Sequence, residues 1–131
     1  EFWLARLGCN VARVNQTGRR LFDQIFKVGA GDLAIVFAFR RVTREAMAIL
    51  EHMHSQGGET VLISDLSDSR MHPLATQALL VRRGPMQAFR PLGAPLALVD
   101  ALILGVMLAK GDEAVDQLAR LDALRQRYDW L

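Results

Sequence analysis

Arg40, Arg41 and Thr43 stand close together between an apolar run and a helix signal, a spacing that suits the capture of an anion. The stretch reads Gly31-Asp32-Leu33-Ala34-Ile35-Val36-Phe37-Ala38-Phe39-Arg40-Arg41-Val42-Thr43-Arg44-Glu45. Seven largely apolar residues after a Gly-Asp turn predict a buried strand covered on both faces, and Thr43 with Glu45 marks the start of a helix. Unpaired backbone N–H groups, the positive end of the helix dipole and two guanidinium forks would meet there. A solvated arginine pair beside an ordinary threonine cap fits the same letters. A second polar group, Asp65-Leu66-Ser67-Asp68-Ser69, offers carboxylates and hydroxyls to a polyol, and turn formation alone would select the same residue types.

Acid–base and metal chemistry find less support. His52 and His54 flank Met53 on a predicted helix, where positions two apart point in different directions and do not share a metal. His72, before Pro73, and Glu45 are the two groups that would have to move a proton if the chain were an aldose–ketose isomerase, and neither sits in a recognisable catalytic motif. Cys9 has no neighbouring base in sequence and reads as a buried strand residue. The chain contains no G-x-S-x-G, P-loop, G-x-G-x-x-G or paired-cysteine motif. No catalytic residue, metal or cofactor is expected.

The elements that position these groups alternate. Residues 2–7 read as the end of a helix closed by Gly8, and residues 9–14 alternate as a short strand. Leu21, Phe22, Ile25 and Phe26 predict a helix from about 17 to 28, and a strand follows over 33–39. Ala46, Met47, Ile49, Leu50 and Met53 predict a helix over 42–56 with Gly57-Gly58 as its stop. Strands over 59–65 and, more weakly, 77–82 are separated by a polar, irregular segment. Residues 92–109 carry only Asp100 as a charge and approach the length that spans a bilayer, but Pro95 and Asp100 interrupt the run and favour a helix buried against a partner. Residues 112–128 form an amphipathic helix with Val115, Leu118, Leu121, Leu124 and Tyr128 as its stripe. This order predicts an α/β fold, a three-layer α/β/α sandwich around a parallel sheet, with ligands beyond the carboxyl ends of the strands.

Composition agrees. The 131 residues fit one domain, 51% hydrophobic and 23% charged, and the net charge of +2 gives no case for nucleic-acid binding by this segment itself. Arginine outnumbers lysine fourteen to two, which supplies planar forks for phosphate or carboxylate. A single cysteine and no secretory leader pattern point to a reducing cytoplasm and no membrane.

Taken together, the strand–loop–helix, the next strand ending in Ser64-Asp65 and the late apolar helix resemble a SIS (sugar isomerase) domain, most closely that of the RpiR-type bacterial transcription regulators. The family's loop commonly reads Ser-x-Ser-Arg-Tyr-Thr-x-Glu. Arg41, Thr43 and Glu45 match it, while Ala38 and Arg40 replace the serines and Val42 the tyrosine. His72-Pro73-Leu74-Ala75 is similar to the family's Ser-Pro-Leu-Ala segment, and Phe89-Arg90-Pro91-Leu92 leads into what resembles its dimer-packing C-terminal helix. The resemblance implies a flavodoxin-like parallel sheet whose first strand is missing here, so that 1–131 is a single, N-terminally truncated SIS-like domain. It implies a non-enzymatic effector domain that binds a sugar phosphate or related anion through Arg40, Arg41, Thr43, Ser64, Asp65 and Ser67. Occupancy would be coupled to a homodimer or higher homo-oligomer, and DNA would be contacted only through an upstream helix-turn-helix domain. A sugar-phosphate isomerase, or a SIS-like dimerisation module without ligand, is the alternative.

Overall fold

A computed structural model describes residues 1–85 and 89–128. Its elements run α1 (Phe2–Arg6), α2 (Arg19–Ile25), β1 (Leu33–Ala38), α3 (Arg44–Ser55), β2 (Glu59–Ser64), a 3-10 turn (His72–Leu74), β3 (Gln77–Leu80), α4 (Gly93–Lys110) and α5 (Asp112–Arg127). The chain divides into two compact units, one built from Val14–Pro95 and the other from Glu1–Arg13 with Leu96–Leu131.

The first of these units carries the sheet. Its three strands are parallel in the order β1-β2-β3, with Val36 opposite Leu62 and Ala38 opposite Ser64. Because side chains alternate across a strand, Val36, Ala38 and Leu62 share one face, and α3 lies on it. Ala46 and Leu50 of α3 complete a buried cluster with these residues and Met71. Fully burying a leucine contributes about 1.5–3 kcal/mol, so this layer is the energetic centre of the unit. Thr60 and Thr76 exchange backbone N–H to hydroxyl bonds of 2.9 and 3.0 Å, which register the β2 side of the sheet against the approach to β3.

The opposite face of β1 departs from expectation. Leu33 and Phe37 are 56% and 52% exposed, so among the described residues the strand is covered on one face only. Residues 9–14 form no strand either. Their alternation meets no neighbouring strand that accepts its backbone bonds, and a lone extended segment has no ladder to stabilise it.

In the second unit α1 ends where Gly8 adopts φ 84°, a left-handed turn that brings it against the Gln117 side chain of α5. A hydrogen bond to Glu113 raises the pKa of Lys110 above its ordinary value. Most of α4 belongs to this unit. Pro95 does not interrupt α4 but sits in its first turn, where its missing N–H breaks no intrahelical bond. The helix is long and apolar enough to cross a membrane by length and composition alone, with mean hydropathy 1.7, and only 6% of it is buried. The helix was expected to lie buried between the domain and a partner, and the described residues of the domain cover little of it.

Candidate functional site

The loop between β1 and α3 begins with an unusual backbone. Arg40 has φ 73°, and it is the one non-glycine residue with positive φ among those described. That conformation costs an L-residue about 1–2 kcal/mol and persists only where the surroundings impose it. The imposing contact is Asp65, whose Oδ1 accepts the Arg40 N–H at 2.7 Å across from the end of β2. The loops that follow β1 and β2 thus meet at the carboxyl edge of the sheet, as the topology requires. Arg40 and Arg41 both present exposed side chains there.

Two residues further on, Thr43 takes an extended backbone (φ -97°) and its Oγ1 accepts the Ala46 N–H at 3.2 Å, capping α3. The cap satisfies one of the first-turn donors, Ala46 N–H, and other N–H groups of that turn have no intrahelical acceptor. Glu45 occupies the same first turn.

The remaining residues named from sequence have other tasks. Ser64 is 1% exposed, and its Oγ accepts the Leu66 N–H at 3.1 Å, closing the turn after β2. Asp65 does not present a free carboxylate to solvent. Besides Arg40 it is paired with Arg90 at 3.2 Å and Arg83 at 3.8 Å, and all three side chains are nearly buried. Ser67 lies exposed in the following loop. His72 is held through Nδ1 by the Ser69 hydroxyl at 3.0 Å, a contact between the start of the 3-10 turn and the loop before it. Among the described residues no group of three His, Cys, Asp or Glu side chains could hold a metal.

Arg83 and Arg90 join the site without having been marked by the sequence patterns. Arg83 stacks on Phe39, its guanidinium 4.9 Å from the ring centre, and donates to the carbonyls of Arg90 and Pro91 at 2.8 and 3.3 Å. The only sequence signal for them is the placement of Arg82-Arg83 after a strand and of Arg90 before an apolar helix. A groove of about 760 Å³ lies elsewhere, between α1 and α5, lined by Phe2, Arg6, Arg120 and Leu124. Its Arg6 is stacked on Phe2 at 3.8 Å and on Trp3 at 4.9 Å.

A family model for the SIS domain matches residues 1–105. The chain belongs to the SIS family. The SIS fold is shared with the sugar isomerase domain of an RpiR transcription factor from Sphaerobacter thermophilus, at a TM-score of 0.82 and 20% sequence identity over 93% of this chain and 68% of that one. No curated protein matches the sequence significantly. The SIS match extends through most of α4, so that apolar helix is part of the family module. The α/β architecture read from the sequence, a parallel sheet flanked by helices, is the SIS fold.

Arg40→Gly should separate strain from recognition at this SIS loop. Glycine adopts φ 73° without steric penalty, so the variant is expected to gain about 0.5–1 kcal/mol in urea unfolding. Loss of stability on that substitution would show that the Arg40 side chain, rather than the Asp65 contact, holds the backbone there.

Proposed function

We propose that this SIS chain is the effector-binding module of an RpiR-type transcriptional regulator, sensing a sugar phosphate or related anionic metabolite at the junction of β1 and α3. What supports the reading is that exposed Arg40 and Arg41 and the Thr43-capped start of α3 share one loop at the sheet's carboxyl edge. Arg41 and the open amides hold the anion, Arg40 supplies a donor where the family pattern has serine, and Ser67 reaches the polyol. Ser64 and Asp65 shape the two loops from behind. The module catalyses no reaction, works in the cytoplasm, and reaches DNA through a helix-turn-helix domain elsewhere in the full protein.

Dimerisation through α4 is the second half of the reading. Its support is an 18-residue apolar helix that the described residues leave largely uncovered, with Leu96, Leu104 and Leu108 exposed. Signalling then requires that the ligand favour one dimer arrangement over another, because equal affinity for both moves nothing.

A thermal-shift series on the complete protein with sugar phosphates, inorganic phosphate and the unphosphorylated sugars tests the site. A ligand at a hundred times its Kd stabilises by about 2.7 kcal/mol, a rise of roughly 5–15 °C for a domain of this size. The Arg41→Ala, Thr43→Ala double variant should lose that rise, whatever its own starting midpoint. A rise that persists unchanged removes the site, and turnover of an aldose phosphate to a ketose phosphate in the same samples replaces the sensor with an isomerase. Intact dimers with no response to any anion would identify a dimerisation module.

A further inference from the structure

Asp65 stands between two segments that are far apart in sequence. One carboxylate oxygen fixes the left-handed backbone of Arg40 at the anion loop, and the other receives Arg90, two residues before Leu92 and the first turn of α4. Arg83 closes the arrangement by holding the carbonyls of Arg90 and Pro91 while pairing with the same carboxylate. The three charged side chains are 6–9% exposed, so water screens these contacts little. A change in the loop that shifts the Arg40 N–H therefore shifts an oxygen on which the start of α4 also depends.

We propose that Asp65, with Arg83 and Arg90, is a latch that ties the 40–43 loop to the start of α4, so that occupancy of the loop and the seating of that first turn are coupled. The regulatory meaning of the latch rests on the anion-binding reading above, whereas its mechanical content does not. Asp65 is a positioning residue here and touches no ligand itself.

Hydrogen exchange on the complete protein tests it without any ligand. In Asp65→Ala the Arg40 N–H loses its acceptor and the Arg90 guanidinium its charge partner, so residues 39–43 and 89–95 are both expected to exchange faster by about tenfold or more. Asp65→Asn keeps an oxygen for the Arg40 N–H but not the charge for the arginines. It should speed residues 89–95 and leave residues 39–43 near the native rate. This split fingerprint is one that general loosening does not produce, and native exchange in α3 and β2 certifies that the variant is folded. An Asp65→Asn protein whose 89–95 segment exchanges at the native rate overturns the latch, also where Asp65→Ala fails to fold. In wild-type protein, saturating inorganic phosphate or a hexose phosphate should protect residues 40–46 and 89–95 together. Protection of the first segment alone overturns the latch, while no protection anywhere overturns the anion site and leaves the latch to be judged on the two variants.

Discussion

Leu50→Ala is expected to lower the free energy of unfolding by about 3–5 kcal/mol, the upper part of the range for a fully enclosed leucine. Leu50 is 0% exposed at the centre of α3, and it packs with Val36, Leu62 and Met71 across the covered face of the sheet. Its smaller neighbours Ala38 and Ala46 cannot fill the space it leaves, because neither has a side chain long enough to swing inward. The cavity therefore stays open and the transfer loss is not recovered by collapse. Equilibrium urea unfolding checks this, and the slope of the transition should be unchanged, since the surface exposed on unfolding is almost the same. A loss below about 1.5 kcal/mol would place the main core somewhere other than between α3 and the sheet.

Gly58→Ala is the second large effect and arises from backbone crowding. A methyl group built on Gly58 lies 2.4 Å from Cε of Met53 and 2.8 Å from the Gly29 carbonyl oxygen. Met53 is buried with little freedom to withdraw, and Gly29 is held on both sides by Asp32, whose N–H donates to its carbonyl at 2.9 Å and whose Oδ2 accepts its N–H at 3.0 Å. Something must shift in the turn before β1 or at the end of α3. We expect a loss of about 2–3 kcal/mol in urea unfolding. Gly31 makes the comparison informative, because an alanine there meets nothing within 4 Å and pays only for its φ of 88°. Gly31→Ala should lose about 1 kcal/mol, and an equal loss at both positions would remove the crowding argument.

Parts of this structure are legible in the sequence for identifiable reasons. The β1 and α3 elements follow from an uninterrupted apolar run, a threonine at the cap and a Gly-Gly stop, all of them local signals that need no knowledge of the rest of the chain. The 9–14 segment carries an equally clear alternation and is not a strand, because alternation encodes which face is buried but not whether a ladder is available. Pro95 reads as an interruption within an apolar run, although the same residue at a helix's first turn is harmless. At the site, Thr43 is readable as a cap because its partner, Ala46, is three residues away. Asp65 is readable only as a polar turn residue. The Arg40 backbone N–H and the Arg90 guanidinium that it binds each lie 25 residues away, and no pattern in the sequence announces contacts at that separation.

The outer margin of β1 has a consequence for handling the protein. Among the described residues no strand pairs with it, and it carries Leu33, Ile35 and Phe37 on an open face. A margin of this kind is a template for stacking identical chains into fibrils. Asp32 precedes the strand and Arg40-Arg41 follow it, charges of opposite sign at the two ends, where gatekeeper residues blunt such growth. The arginines of the 40–43 loop thus also guard solubility, and neutralising them would expose the chain to precipitation.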